Sequence, residues 1–141
     1  MRKLFSLSIL ALSLGLGAQS AVAIPVGDHA PCVVLNHIAP NGNESEHCIR
    51  EAVAEDQAKI IEFFSATCSD CHKNLPIVSA LAERLAGKAT TRLVGIDRSE
   101  SLLREYIKNN MNLIRFEVAL DTNRDAKQAY QVNVTPTLYV L

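Results

Sequence analysis

Tryptophan does not occur in this chain, and aromatic residues make up only 5% of it. A folded core must therefore be built mainly from aliphatic side chains. Positive charge is not in excess either: the formal net charge is −1 over 141 residues. That balance argues against a nucleic-acid partner and against attachment to a membrane surface through a polybasic patch. No repeat or low-complexity tract interrupts the sequence, and the one long apolar stretch lies at the extreme N-terminus. Cysteine is sparse but even in number, with four residues: Cys32, Cys48, Cys68 and Cys71.

The N-terminal stretch reads as a secretion leader over residues 1–23. Arg2 and Lys3 give the positive start, Leu4 to Ala18 the apolar region, and Ala21-Val22-Ala23 the small-x-small cleavage pattern. The apolar run is short for a span and has no stop-transfer charge, so no stable membrane insertion is expected after its removal. With Arg2 and Lys3 gone, the remaining residues 24–141 are more acidic still and suffice for one domain. All four cysteines then sit in a periplasmic or secreted protein, where disulfides persist.

Along residues 24–141 strands and helices alternate, which implies an α/β sheet with crossover connections. Residues 32–38 read as a strand ending at the turn Pro40-Asn41-Gly42-Asn43. Alanines and charges over 46–57 suggest a short helix. Residues 59–66 read as a buried strand. The clearest helix runs from Cys71, with Leu75, Val78, Leu81, Ala82 and Leu85 at helical spacing, a kink expected at Pro76 and a stop at Gly87. Strands are expected at 91–96, 116–120 and 137–141, and helices at 99–109 and 123–130.

Cys68-Ser69-Asp70-Cys71 falls directly after the buried strand, at the start of the clearest helix. A helix N-terminus offers unpaired amide donors and partial positive charge, both of which stabilise a thiolate. Cys68, at the outer position, ionises more readily and is the natural nucleophile; Cys71, one turn inside, resolves the mixed disulfide. Ser69, Asp70 and His72 tune the pair. Asp70 disfavours the thiolate and His72, when protonated, favours it, though Asp70 is equally readable as an ordinary first-turn helix residue.

These residues, with Pro76 and the later Val134-Thr135-Pro136-Thr137, resemble the thioredoxin-fold superfamily. The lead-in Gly27-Asp28-His29-Ala30-Pro31 and the long insert before Thr135-Pro136 resemble its secreted, TlpA-like reductases. The resemblance implies a central mixed sheet flanked by helices, with no counterpart of the family's last strand and helix after Leu141. A fragment or an early-terminated chain is one reading of that end. The resemblance also implies that Cys68 attacks, that Cys71 resolves and that Glu62 is a buried acid exchanging a proton with Cys71. Pro136 matches the family's cis-proline, with Thr135 turned toward a bound peptide. The bland alternative for Glu62 is a strand residue facing solvent or capped by a lysine. Two departures stand out: Thr67 occupies the place of a common tryptophan, and Asn74 that of a glutamate found in several TlpA-like proteins.

Cys68-Ser69-Asp70-Cys71-His72 also spells the haem c attachment pattern, with Met111 or another histidine as second ligand. The strand-rich sequence argues against it. A zinc site using Cys68, Cys71 and two of His29, His37, His47 and Cys48 lacks a second well-spaced ligand pair. Cys32 and Cys48 flank a turn and suit a structural disulfide worth roughly 3 kcal/mol in the chain-entropy view; a second redox pair and two free thiols are the alternatives. The expectation is a secreted thiol–disulfide oxidoreductase needing no cofactor or metal. Its partners would be protein disulfides and an upstream dithiol donor, and reduction is the preferred direction. A redox-inert module that binds a partner along the Thr135 edge is the competing class.

Overall fold

The computed structural model describes residues 24, 29–51 and 57–141. The expected leader over 1–23, the Gly27-Asp28 part of the lead-in and residues 52–56 of the expected short helix lie outside them. Nine elements follow in order: β1 (Val34–Ile38), β2 (Glu44–Cys48), β3 (Ala58–Phe64), α1 (Ser69–Arg84), β4 (Ala89–Gly95), α2 (Glu100–Asn109), β5 (Glu117–Leu120), α3 (Asp125–Ala129) and β6 (Thr137–Val140). The strands form one mixed sheet in the order β2-β1-β5-β4-β3-β6. β3, β4 and β5 run parallel, whereas β1, β2 and β6 are added antiparallel.

The expected helix beginning at Glu46 is corrected by the structure: residues 44–48 are a strand. Gly42 adopts the left-handed φ of 84°, and Ala39 N–H donates to the Asn43 carbonyl at 2.8 Å. That tight turn returns the chain alongside β1, pairing Val34 with Cys48 and Ile38 with Glu44. Ladder bonds of this kind outweigh the weak helix preference of scattered alanines and charges.

Both faces of the sheet are covered, so β3 is buried and apolar from Ile60 to Phe64 except at Glu62. On one face Phe64 and Leu93 pack with Cys71, Leu75 and Val78 of α1 and with Leu103, Tyr106 and Ile107 of α2. On the other, Ile61, Phe63 and Val94 meet Ala126, Tyr130 and Val132. Burial of each such side chain contributes about 1.5–3 kcal/mol. At Gly95 the approach of α2 leaves no room for a side chain, since a Cβ there would run into Leu103 Cδ2. Tyr130 is wholly buried, with its hydroxyl donating to the Pro31 carbonyl at 2.8 Å. α1 continues through Pro76 to Arg84, and Gly87 follows at φ 79°, a left-handed position that ends the helical path. Among the described residues no helix is long and apolar enough to cross a membrane.

Candidate active site

β3 ends at Phe64, and the four residues after it carry the chain to the N-terminus of α1. Cys68 is the N-cap of that helix, and its sulfur accepts from the Cys71 backbone N–H at 3.2 Å. The two cysteines are disulfide-bonded, with Cα atoms 5.3 Å apart. Exposure separates them: Cys68 is partly accessible, whereas Cys71 is only 2% exposed and packs in the core. This difference follows from placement, one thiol capping the helix and the other on its inward face.

The Thr135–Pro136 peptide bond is cis, and the Thr135 carbonyl oxygen lies 3.4 Å from the Cys68 sulfur. That carbonyl comes from the segment entering β6, which pairs with β3 through Phe63↔Thr137 and Glu62↔Leu138. The dithiol and the Thr135-Pro136 segment, 67 residues apart in sequence, are thus brought together by neighbouring strands.

Glu62 neither faces solvent nor meets a lysine. It is 1% exposed, on the β3 face covered by α1, and its Oε2 accepts from the Asn74 side-chain amide at 2.9 Å. Burial pushes its carboxyl above the ordinary carboxylate range, and the Asn74 bond, which favours the charged form, pulls part of the way back. A buried carboxyl with raised proton affinity is suited to take and return a proton. Asn74 stands one turn beyond Cys71, so α1 supplies both the inner thiol and the donor that holds the acid.

The groups expected to tune the pair are largely occupied elsewhere. Asp70 is exposed and pairs with Lys73 Nζ at 3.1 Å. His72 Nε2 donates to the Ala66 carbonyl at 2.8 Å, and its ring meets Tyr106 edge-on. The nitrogen that would ligate a haem iron is therefore engaged by the backbone. The zinc set is not assembled either: Cys48 is bonded to Cys32, with Cα atoms 5.4 Å apart, and His47 faces Glu117 and Arg92.

Asp97 was missed by the sequence reading. Its carboxylate accepts from Ser65 Oγ at 2.7 Å and from the Ala66 N–H at 2.8 Å, fixing the loop that delivers Cys68. The available signal was an acid just beyond the buried run Leu93-Val94-Gly95-Ile96, at the C-terminal end of a parallel strand, where α/β sites gather.

A second polar group lies toward the other end of the sheet. His37, His47 and Glu117 point ligand-type atoms at one another. Arg92 occupies the same space, with Nη2 2.5 Å from Glu117 Oε2 and 3.1 Å from His47 Nε2. The His37 and His47 rings are stacked at 3.7 Å and 16° between planes, so no single ion can lie in the plane of both. This cluster is built around a guanidinium, not a cation site.

The model of a thioredoxin-like family matches residues 57–141, and the chain belongs to that family. With its Cys68-x-x-Cys71 pair it is a thioredoxin-like thiol–disulfide oxidoreductase. No curated protein matches the sequence. Among solved structures, the chain is similar to the thioredoxin domain of a thiol–disulfide oxidoreductase from Bacteroides vulgatus, at 18% identity and a TM-score of 0.67, covering 84% of this chain and 82% of that one. It is also similar to StoA from Bacillus subtilis, at 20% identity and a TM-score of 0.60, covering 80% and 82% respectively. A third is a secreted Mycobacterium tuberculosis disulfide oxidoreductase homologous to E. coli DsbE, at 15% identity and a TM-score of 0.58, covering 74% and 73%. At these identities the likeness is one of fold.

Proposed function

We propose that this protein reduces disulfides in other proteins outside the cytoplasm. The observation that carries the reading is the partly accessible Cys68 capping α1 above a buried Cys71, with the buried Glu62 carboxyl on the β3 face under the same helix. In the reduced protein the Cys68 thiolate attacks a substrate disulfide and one substrate sulfur leaves as a thiol. Cys71 gives its proton to Glu62 and attacks the Cys68 sulfur. The second substrate thiol is released, and the Cys68–Cys71 disulfide remains for an upstream dithiol to reduce. Thr135, beside Cys68 at the cis-proline, offers its backbone to a bound peptide as a short added strand. The leader sequence and the secreted relative support an extracytoplasmic site.

The reducing direction is supported by the charges around Cys68. The Cys71 amide faces the sulfur, but Lys73 is paired with Asp70, and His72 Nε2 donates to the Ala66 carbonyl and not to the sulfur. A strongly oxidising dithiol needs an unusually stabilised thiolate, and nothing here supplies one beyond the helix terminus. A redox titration of the purified protein, with thiols counted by mass after alkylation, should show one two-electron transition at Cys68 and Cys71 while Cys32 and Cys48 stay paired. Its midpoint should lie nearer roughly −270 mV than roughly −120 mV. A pair that never cycles would return the protein to the redox-inert binding class.

The proton step gives a pH test. Glu62 accepts a proton only when ionised, so turnover should rise as pH passes its elevated pKa. Asn74→Leu removes the donor that favours the carboxylate, which moves this limb to higher pH. Glu62→Gln should abolish the limb and lower the rate on the order of 10²-fold. A limb that stays in place in Asn74→Leu would count against Glu62 as the acceptor.

A further inference from the structure

The segments that lead to Asp97 and to Thr135 carry a surface that the exchange chemistry does not use. A cleft of about 450 Å³ opens between the loop after β4 and the segment leading from α3 toward Thr135. Arg98, Arg124 and Lys127 line it together with the side-chain amides of Gln128 and Asn133, and no carboxylate does. Among the described residues none of the three cations forms an ion pair. Two nearby acids are engaged inward: Asp97 holds Ser65 and Ala66, and Asp121 accepts from the Ala126 and Lys127 N–H groups; Asp125, in the first turn of α3, is exposed but does not line the cleft. Arg124 is anchored through its Nε, which donates to the Ile96 carbonyl at 3.1 Å. Its other nitrogens remain available.

The cleft's position connects it to the reacting sulfur. One wall begins at Arg98, directly after the aspartate that fixes the loop before Cys68. The other wall, through Gln131 and Asn133, runs into Thr135, whose carbonyl is 3.4 Å from the Cys68 sulfur. Arg124 and Gln131 hold left-handed φ angles of 66° and 54° at the two ends of α3. Neither is a glycine, and such residues cost about 1–2 kcal/mol each. On a chain of net charge −1, three cations that line one cleft with no carboxylate among them are an electrostatic exception.

We propose that this cleft docks an acidic, Asp- and Glu-rich segment of the polypeptide whose disulfide Cys68 attacks; the inference rests on the exchange reading above. Guanidinium groups bind carboxylates in paired hydrogen bonds, and a local positive field steers an acidic partner toward one orientation. Substrate choice would then be set by residues flanking the disulfide and not by the disulfide alone.

The test uses two labelled peptides, each closed by one internal disulfide and identical except for four flanking residues, glutamate in one and glutamine in the other. Binding to the oxidised full chain is read by anisotropy, and reduction by the reduced chain is read separately. The acidic peptide should bind roughly tenfold more tightly at low salt. The difference should collapse at about 0.5 M salt. Arg98→Glu with Lys127→Glu should reverse the preference, and the corresponding glutamine pair should only erase it. Equal binding of the two peptides, or a preference that survives charge reversal, would overturn the proposal. Oxidised glutathione brings the same carboxylate chemistry from a small molecule; if its reduction suffers as much as the peptide's from charge reversal, the cleft is a small-anion site and the polypeptide assignment fails. Binding does not depend on the thiols, so a chain that binds the acidic peptide yet reduces neither supports the docking surface and defeats the exchange reading instead.

Discussion

Cys68→Ser is expected to bring disulfide reduction down to the uncatalysed background, while Cys71→Ser should stop the reaction one step later with substrate attached. Only Cys68 is accessible to an incoming disulfide, since Cys71 is 2% exposed beneath the first turn of α1. The thiolate is the attacking species, and Cys68 is the sulfur that receives the Cys71 amide at 3.2 Å. A serine hydroxyl at that place has neither the acidity nor the nucleophilicity for exchange, so the loss is of several orders of magnitude. In Cys71→Ser the first attack proceeds, but nothing resolves it, and a mixed disulfide should accumulate in stoichiometric amount. Mass spectrometry under non-reducing conditions reads both results. If Cys71→Ser captured no substrate while Cys68→Ser did, the roles would be reversed. If Cys32→Ser with Cys48→Ser abolished turnover as completely, the Cys32–Cys48 bond would be part of the electron path and not a staple.

What the sequence made legible is what depends on short-range signals. The buried run of β3, the cysteine at a helix start and the stop near Gly87 are written within a few residues, and each is found where expected. Ser99 likewise caps α2 by accepting from the Leu102 N–H at 3.3 Å. Side-chain partnerships across the sheet were not legible. Asp97 reaches back 31 residues to Ala66, and Arg92 meets a glutamate 25 residues on and a histidine 45 residues back. Only the strand register makes these neighbours, and no local pattern encodes it. The strand at 44–48 was misread for the same reason, because its stability comes from pairing with β1 and not from its own residues. Asn74 was legible as a departure from a family pattern, but not as the donor to Glu62, because that role requires knowing which face of β3 lies under α1.

The Arg92 cluster should be the most costly place in the fold to disturb by a single change outside the dithiol. Arg92 is 4% exposed, and its Nη1 is directed at the carbonyls of Cys48, Ile49 and Glu51 while its Nη2 and Nε reach Glu117 Oε2. One side chain thereby ties β4 to β5 and to the segment after β2. Arg92→Met removes the charge and leaves Glu117 and several carbonyls without their donor. Breaking a buried pair in this way costs about 3–5 kcal/mol; because Glu117 keeps about a third of its side-chain exposure, the lower end, about 3 kcal/mol, is expected. For a domain of this size that is a fall of roughly 10 °C in Tm. The pH dependence distinguishes this from a simple loss of packing. Burial tends to raise the Glu117 carboxyl, but Arg92 and His47 together hold it below the ordinary range. The stability it contributes is therefore present at neutral pH and is lost as pH falls through its folded pKa. Burial, then Arg92 and His47, lower His37 to about 4, so the unfolded chain takes up that proton first and stability again falls from about pH 6.5 toward 4. Without Arg92 both groups lose one cause of their lowering, while burial still raises Glu117 and lowers His37, so the variant's stability should fall less steeply as pH falls. The gap between wild type and Arg92→Met in denaturant melts should be widest at neutral pH and narrow below pH 5. A gap that stays constant across that range would mean that Arg92 holds the sheet by packing alone and that its charge contributes nothing.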